Sequence, residues 1–281
     1  MRQDDLCNNV TMIPDKAKSY IKDNFKRGRV VALSGAGISA ESGIPTFRGE
    51  GGLWQRYDPQ LYASTEGLIS VLRTQPQNLA DFIADFYSIL LKARANPGHL
   101  ALGVLEKNNI LEAVITQNID NLHQEAGNRK VIELHGNAFR VICTGCKKTI
   151  TLEKARIKEM LELLKSNRSS RIGLLKVLSR YFSRCNCLGR YRIDIVLFGE
   201  ILPQGELSRA YKYLDSCNTL LIVGSSLIVY PAASLPLYAK ERGAVLIEIN
   251  KEESALSSYC DYRIVGQASK ILPEILSLLG L

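Results

Sequence analysis

A short apolar run that leads directly into a glycine-rich loop constrains the fold of this chain more than any other feature. The run covers residues 29–34 (RVVALS), and Gly35-Ala36-Gly37-Ile38-Ser39-Ala40 follows it without a gap. This G-x-G-x-x-A pattern permits a tight turn, a close approach of backbone N–H groups to a pyrophosphate, and a helix packed closely on a sheet. The loop alone could be an ordinary glycine turn, but after a strand it predicts dinucleotide binding.

Further short β-branched runs alternate with helical patterns along the chain. Most of them are continuously apolar, which is typical of strands covered on both faces in a parallel sheet. Helical patterns include residues 81–93, 210–214 and 271–279, and the alternation predicts an α/β fold with a Rossmann-like, doubly wound parallel sheet. The additional predicted strands cover residues 112–116, 130–134, 194–198, 219–223, 244–249 and 262–265.

Two regions interrupt this alternation and divide the chain. We expect a discontinuous Rossmann-like dinucleotide-binding domain over residues 1–44, 97–139 and 192–281. Residues 45–96 would form a cofactor-binding loop and a helical insert, and residues 140–191 a zinc-binding module with a basic insert. With 281 residues, the chain is long enough for one large α/β domain that carries such inserts.

The segment after the glycine loop does not match a hydride-transferring dehydrogenase. Such enzymes usually carry an acid at the end of a second strand, about 20 residues further on. Asp58 has the spacing, but it lies in the turn-like sequence RYDP. A nicotinamide-dependent oxidoreductase therefore stays the weaker of the interpretations that this loop allows.

Two close cysteine pairs predict a metal site. Four thiolates suit a closed tetrahedral zinc site, which is structural because no coordination position remains for water. A redox C-x-x-C would explain the first pair but not the second. The predicted ligands of one structural Zn²⁺ are Cys143, Cys146, Cys185 and Cys187. The other three cysteines, Cys7, Cys217 and Cys260, we interpret as small hydrophobic residues or surface thiols.

The positive charge of the chain is concentrated in one segment. The net charge is +8, and residues 153–184 hold nine bases and three acids, so this segment contributes +6. A solvated surface is the common meaning of such a segment. The alternative is a basic insert that docks nucleic acid or an acidic partner.

Composition and the apolar segments bear on the compartment. No apolar signal segment is visible near the N-terminus, and cysteines are too sparse for a disulfide framework. Residues 216–239 are uncharged, but glycines and prolines divide them into pieces that we expect to be a strand, a loop and a helix. We therefore expect no membrane span and a reducing, cytoplasmic location, with the nucleus as an alternative.

Polar side chains cluster where two predicted strands end. Gln117, Asn118 and Asp120 follow one strand, and His135 follows another. Ligands bind at the carboxyl ends of strands in open α/β sheets, so these residues, together with the glycine loop, predict a site. His99 follows Asn96-Pro97-Gly98, and we interpret it as a structural residue at a helix start.

These motifs resemble one family, the sirtuins, which are NAD-dependent protein lysine deacylases. The resemblance runs over about residues 28–279 and includes the two cysteine pairs. The matching motifs are GAGISAESGIPTFRG at 35–49, TQNID at 116–120, LHG at 134–136, FGE at 198–200, GSSL at 224–227 and EIN at 248–250.

The resemblance implies a reaction and residue roles. An acylated lysine would attack the nicotinamide ribose, and nicotinamide, free lysine and acyl-ADP-ribose would be the products. His135 would be the general base, while Asn118 and Asp120 would hold the nicotinamide carboxamide and ribose hydroxyls. Phe47 would shield the reacting carbon from water and Arg48 would orient NAD. The other implied NAD-binding residues are Gly35, Ala36, Gly37, Ser39, Gln117, Gly224, Ser225, Ser226 and Asn250.

The resemblance also implies where the substrate binds. A peptide would add as a strand between residues 198–200, including Phe198 and Gly199, and residues 227–230, including Val229. Relatives that remove acidic acyl groups carry Tyr and Arg where this chain has Ile83 and Phe86, whereas Ala63 is small as in those relatives. A wide apolar pocket predicts the order myristoyl, then acetyl, then succinyl.

Three departures from the family pattern leave alternatives open. The second cysteine pair is C-x-C, the segment between the pairs is long, and Ile193 replaces a common proline. A protein mono-ADP-ribosyltransferase, or a zinc-bearing binding module without activity, would share much of this sequence pattern.

Overall fold

The computed structural model describes residues 13–45 and 53–281, with side chains from residue 55 in the second range. The strands among these residues are β1 (Val30–Ser34), β2 (Leu111–Thr116), β3 (Val131–Glu133), β4 (Gly136–Cys143), β5 (Thr149–Thr151), β6 (Tyr191–Ile195), β7 (Thr219–Val223), β8 (Val245–Asn250) and β9 (Tyr262–Val265). The α-helices are α1 (Asp15–Asn24), α2 (Leu53–Arg56), α3 (Pro59–Tyr62), α4 (Thr65–Thr74), α5 (Pro76–Lys92), α6 (Pro97–Lys107), α7 (Leu122–Glu125), α8 (Lys154–Asn167), α9 (Arg171–Tyr181), α10 (Gln204–Leu214), α11 (Leu235–Glu241) and α12 (Ala268–Leu279).

Six strands form a parallel sheet in the order β3-β2-β1-β7-β8-β9. Every residue of β1 and β7 is buried, because alternate side chains point into two separate cores. Val30 and Ala32 join the core under α1, α6 and α12, whereas Val31 and Leu33 join the core under α10 and α11. The predicted doubly wound sheet is confirmed. Its strand order reverses between β1 and β7, which is the point where α/β sheets open a crevice.

A second sheet is small and antiparallel, in the order β5-β4-β6. The predicted strand over residues 194–198 was wrong in extent and in its sheet, since β6 covers Tyr191–Ile195 and pairs with β4. The apolar run misled because Val196, just past the strand, packs on the core of the large sheet. The Val196 N–H then donates to the His135 carbonyl and ends the pairing.

Helices fill the two regions between sheet elements. Helices α2 to α5 form an insert whose own core contains the rings of Tyr57, Tyr62 and Phe82, with centroids 4.8–5.0 Å apart. The segment 153–184 contains the hairpin α8–α9, which packs on α5. Among the described residues, no helix is long and apolar enough to cross a membrane. The division into domains stays a prediction.

Candidate active site

Two backbone loops cross at the point where the strand order reverses. The Gly35 N–H donates to the Val223 carbonyl over 3.0 Å, and the Gly37 N–H donates to the Gly224 carbonyl over 2.8 Å. A Cβ on Gly37 would lie 2.7 Å from the Gly224 Cα, and Gly224 has a φ of +60°. Glycine is therefore required on both sides, and the helix predicted after the loop is a 3₁₀ helix (Ala36–Ser42).

Asn118, Asp120 and Ser39 form a buried polar cluster beside this crossing. The Asn118 amide donates to the Gly35 carbonyl over 3.0 Å and to the Ser39 hydroxyl over 3.1 Å. Ser39 in turn donates to Asp120 over 2.6 Å, and the other Asp120 oxygen accepts the Leu122 N–H. Burial raises the pKa of Asp120, although these hydrogen bonds oppose the shift. The three residues line one cavity together with Ala36 and apolar side chains.

Two buried histidines stand behind this cluster. His99 Nε2 lies 3.4 Å from the Ser39 hydroxyl, and His123 Nε2 lies 2.8 Å from the Ser34 hydroxyl. Burial lowers the pKa of His99 to about 4 and that of His123 well below its ordinary value, so both rings are neutral. The sequence interpretation of His99 as only a helix-start residue missed its place behind Ser39. The one sequence signal was the capping motif Asn96-Pro97-Gly98-His99, which marks a helix start but not what the ring faces.

His135 lies between β3 and β4, at the same edge of the sheet. Its Nδ1 lies 2.9 Å from the Gln117 carbonyl oxygen. A carbonyl can only accept, so Nδ1 carries the proton and Nε2 keeps a lone pair. Burial lowers the pKa of His135, and the bond to Gln117 offsets part of this shift. The Gln117 side chain donates to the Ser225 hydroxyl over 2.9 Å, which links His135 to the loop after β7.

The far half of the crevice is formed by the loops after β7 and β8. The Asn250 amide donates to the Ser225 carbonyl over 2.8 Å, and the Ser226 carbonyl accepts the Ala255 N–H. Ser225 is buried, whereas Ser226 is exposed. An ion pair of 2.9 Å joins Lys251 to Glu41 at the end of the glycine-loop helix and bridges the crevice.

The residues assigned to the substrate lie around the helical insert. The Phe198 N–H donates to the carbonyl of the buried Ala63 over 2.8 Å. Phe86 lines the same cavity as Asn118 and Asp120. Ile83, in contrast, packs between the core of the insert and that of the α8–α9 region and is not among the residues that line this cavity.

Val229, the residue of the loop after β7 that was assigned to the substrate, is half-buried. Val229 lies between the exposed side chains of Ile228 and Tyr230, and its carbonyl accepts the Ala233 N–H. Gly199 has a φ of +84°, which favours glycine in the turn after Phe198. Phe47 and Arg48 lie outside the described residues.

The four predicted metal ligands come together at one end of the small sheet. Their sulfur atoms all lie within 4.8 Å of one another, with 3.4 Å between Cys143 and Cys187 and 3.7 Å between Cys146 and Cys185. A tetrahedral zinc with Zn–S bonds of about 2.3 Å needs sulfurs about 3.8 Å apart. The short C-x-C spacing of the second pair is thus no obstacle, and the cysteines are positioned to bind a metal ion.

The surroundings of the sulfurs also fit a structural metal. Gly189 is needed beside them, because a Cβ there would lie 2.7 Å from the Cys143 sulfur. A backbone N–H bond from Cys187, together with the Tyr191 hydroxyl 3.5 Å away, lowers the pKa of Cys185 to about 6. Such bonds stabilise a thiolate, which is the form that binds zinc. The other described cysteines lie apart from this group, Cys217 buried and Cys260 half-buried.

A glycine loop at the point where the strand order of a Rossmann-type sheet reverses is typical of proteins that bind dinucleotides. The model of the Sir2 family matches residues 35–231, more than half of the chain. An NAD-dependent protein deacylase of Pyrococcus furiosus is 43% identical over 251 residues, which covers 89% of this chain and 92% of that protein. This chain belongs to the Sir2 family.

Solved structures lead to the same family. The structure of a Sir2 homologue with NAD superposes with a TM-score of 0.75 at 34% identity, covering 94% of this chain and 93% of that one. A Sir2 structure with deacetylated p53 peptide and 3′-O-acetyl-ADP-ribose gives a TM-score of 0.73 at 33% identity, with 94% and 98% covered. The sequence-based assignment to this family is confirmed.

Proposed function

We propose that this protein is an NAD-dependent protein lysine deacylase that transfers the acyl group to ADP-ribose and releases nicotinamide. The observation that carries the proposal is the orientation of His135. Its proton is held at Nδ1 by the Gln117 carbonyl, which leaves Nε2 available as a base beside the crevice. The names of the related deacylase and the acetyl-ADP-ribose complex support the same chemistry.

The residues around the crevice fit NAD. The glycine loop reaches the buried cavity through Ala36 and Ser39, and Asn118 and Asp120 offer amide and carboxylate groups in the same cavity. Ser225, Ser226 and Asn250 would hold the ribose and adenine end. When bound, NAD supplies an ADP-ribosyl group that accepts the acyl oxygen as nicotinamide leaves.

His135 acts as the general base at Nε2, where it takes a proton from a ribose hydroxyl. Burial lowers the pKa of this imidazole, so the neutral, proton-accepting form is populated at neutral pH. Ser39 and the neutral His99 behind it keep the Asp120 carboxylate and the Asn118 amide in fixed orientations. These residues therefore bind and orient, and His135 moves the proton.

The acyl chain would enter an apolar pocket beside Ala63 and Phe86. Ile83 and Phe86, which stand where relatives that remove acidic acyl groups carry Tyr and Arg, offer no charge or hydroxyl, so an acidic acyl group would lack a partner there. The buried hydroxyl of Tyr87, the residue after Phe86 on α5, already donates to the Ala138 carbonyl over 2.9 Å. This arrangement supports removal of aliphatic acyl groups, with myristoyl preferred to acetyl and acetyl to succinyl.

The test is to incubate the protein with NAD and myristoyl, acetyl and succinyl forms of one lysine peptide. Peptide mass and nicotinamide release should rise together, while absorbance at 340 nm stays constant because no reduced cofactor forms. ADP-ribosylated peptide that keeps its acyl group would contradict deacylation. The variant Ile83→Tyr/Phe86→Arg should raise the succinyl rate relative to acetyl, and an unchanged ratio would count against this pocket.

The basic insert is proposed as a polyanion-binding surface. All nine bases of this segment are exposed, but Lys154, Lys165, Arg168 and Arg180 already form ion pairs with carboxylates. Arg156, Lys158, Arg171, Lys176 and Arg184 form no ion pair with any described residue, so these five charges are available to phosphates. Lys158, Arg171 and Lys176 are the ones that lie on α8 and α9 and do not stack on Tyr181, as Arg156 does.

Changing Lys158, Arg171 and Lys176 to Gln should reduce the salt dependence of DNA or RNA binding. The matched control changes Lys165, whose charge is paired with Glu162 at 3.1 Å. Binding of the unaltered protein that does not vary with salt would contradict this proposal and leave the deacylase assignment unaffected.

A further inference from the structure

The turn that carries Phe198 and Gly199 is fixed from both its backbone and a side chain. The Glu200 N–H donates to the Leu197 carbonyl over 3.0 Å, with Gly199 at a φ of +84° between them. The Glu200 carboxylate then folds back and accepts the Leu197 N–H over 3.1 Å. The shape of this turn therefore depends on the position of the Glu200 carboxylate, which other residues must fix.

Arg192 on β6 holds the carboxylate with two parallel hydrogen bonds. Nη1 and Nη2 each lie 2.6 Å from a different oxygen of Glu200, and Nη2 also donates to the Ile195 carbonyl. Bidentate guanidinium–carboxylate pairs combine charge with fixed geometry and are among the strongest hydrogen-bonded contacts in proteins. Burial raises the pKa of Glu200, but the bonds from Arg192 outweigh it, so the carboxylate is ionised at neutral pH.

The same turn is joined to the helical insert at two points. The Thr65 hydroxyl at the start of α4 donates to Glu200 over 3.1 Å. Two residues earlier in the insert, the carbonyl of Ala63 accepts the Phe198 N–H over 2.8 Å. The insert, the turn and β6 of the small sheet therefore meet at Glu200, and no described hydrogen bond runs from this carboxylate to His135, Asn118 or Asp120.

We propose that Glu200, held by Arg192 and Thr65, is a positioning residue that sets the spacing between the peptide-binding turn and the wall of the acyl pocket at Ala63. This inference rests on the proposed function, because it assigns the turn to the peptide and Ala63 to the acyl chain. We call the bonds of Glu200 with Arg192 and Thr65 the clamp. Loss of the clamp leaves the NAD crevice intact and weakens binding of the acylated peptide, because only the peptide must contact both the turn and the pocket.

The experiment compares Glu200→Gln with Glu206→Gln in the full-length protein. Glu206 is a matched control, because Arg209 pairs with both of its oxygens at 2.8 and 2.9 Å and its side chain is 29% exposed, against 26% for Glu200. Glu200→Gln should raise KM for an acetyl-lysine peptide on the order of tenfold, while KM for NAD stays within about twofold. Arg192→Lys keeps the charge but not the fork, so it should give an intermediate increase.

The possible results separate the clamp from a general structural role. An unchanged peptide KM in Glu200→Gln, or an equal rise in both KM values, would overturn the proposal. Thr65→Val removes a single bond and should raise only the peptide KM, which keeps the test valid if Glu200→Gln fails to fold. Peptide affinity measured by fluorescence anisotropy reports on the clamp even if no deacylation occurs, an outcome that would instead contradict the proposed function.

Discussion

The two sheets of this molecule hold their polar residues by different means. In the parallel sheet, β1 and β7 are buried along their whole length, and the hydrophobic cores on both faces fix the loops that follow them. In the small sheet, every residue of β5 is exposed and β6 is only partly buried. Only β4 of this sheet is mostly buried. We infer that apolar burial orders the crevice, whereas a metal held by the four cysteines would stabilise the exposed end of the small sheet.

The largest expected difference between the two sheets is in their protection from hydrogen exchange after the metal is removed. Structural zinc contributes about 10–16 kcal/mol in zinc-finger peptides, far more than β5 can gain from burial. Chelation or Cys143→Ser should therefore open β4, β5 and β6 to hydrogen exchange, with loss of activity, while β1 and β7 stay protected.

The control for this prediction is Cys260→Ser, a half-buried cysteine away from the four sulfurs, which should leave exchange in the small sheet unchanged. Native protein with less than half a zinc per chain, or joint loss of protection in both sheets after chelation, would break the distinction between them.

His135→Ala should affect chemistry without affecting either sheet. The described contact of the ring is one hydrogen bond to the Gln117 carbonyl, so its loss removes proton transfer, worth typically 10²–10⁴-fold in rate. We expect kcat to fall by that factor, while the NAD dissociation constant measured by calorimetry changes less than about threefold. Turnover above about a tenth of the unaltered rate would reject the general-base role.

Low pH should destabilise the fold at the carboxyl ends of the parallel strands, because the buried histidines His99 and His123 contact residues there. His99 and His123 have folded-state pKa values below the unfolded value, so the unfolded chain binds more protons and stability falls as pH drops from about 6.5 toward 4. For His99, with a pKa of about 4, the loss is on the order of 2 kcal/mol between pH 7 and pH 5.

Urea unfolding at both pH values measures this loss, with protection of β1 and β2 as the local readout. The variant His99→Gln should show a shallower dependence on pH, because one buried titrating group is gone. An equal slope in the variant and the unaltered protein would assign the acid sensitivity to other groups.

The parallel sheet could be predicted because each of its strands has a recognisable apolar pattern in its own sequence. The predictions at 219–223 and 262–265 match β7 and β9, because a short apolar run between polar turns is typical of a buried strand. The small sheet could not be predicted in the same way. Its strands are partly exposed, and β6 pairs with β4 across a segment of more than 40 residues.

The site shows the same limit. The positions of Asn118, Asp120 and His135 at strand ends follow from short motifs, and the structure brings these residues to one edge. The contact of His99 with Ser39 and the fork of Arg192 on Glu200 join residues that no local pattern relates. The assignment of Ile83 to the acyl pocket stays a prediction that rests on counting along a helix, and its side chain packs between the core of the insert and that of the α8–α9 region.

The bond between His135 and Gln117 bears on how residue 117 of this chain can change while His135 keeps its proposed role as base. The partner of Nδ1 is a peptide carbonyl, and every residue type supplies one. Substituting residue 117 can remove the side-chain bond to Ser225, but it cannot remove the acceptor that selects the tautomer. Substitutions at residue 117 therefore keep the hydrogen bond to His135 Nδ1. Only a change in the backbone path, such as an insertion between β2 and α7, can remove that bond.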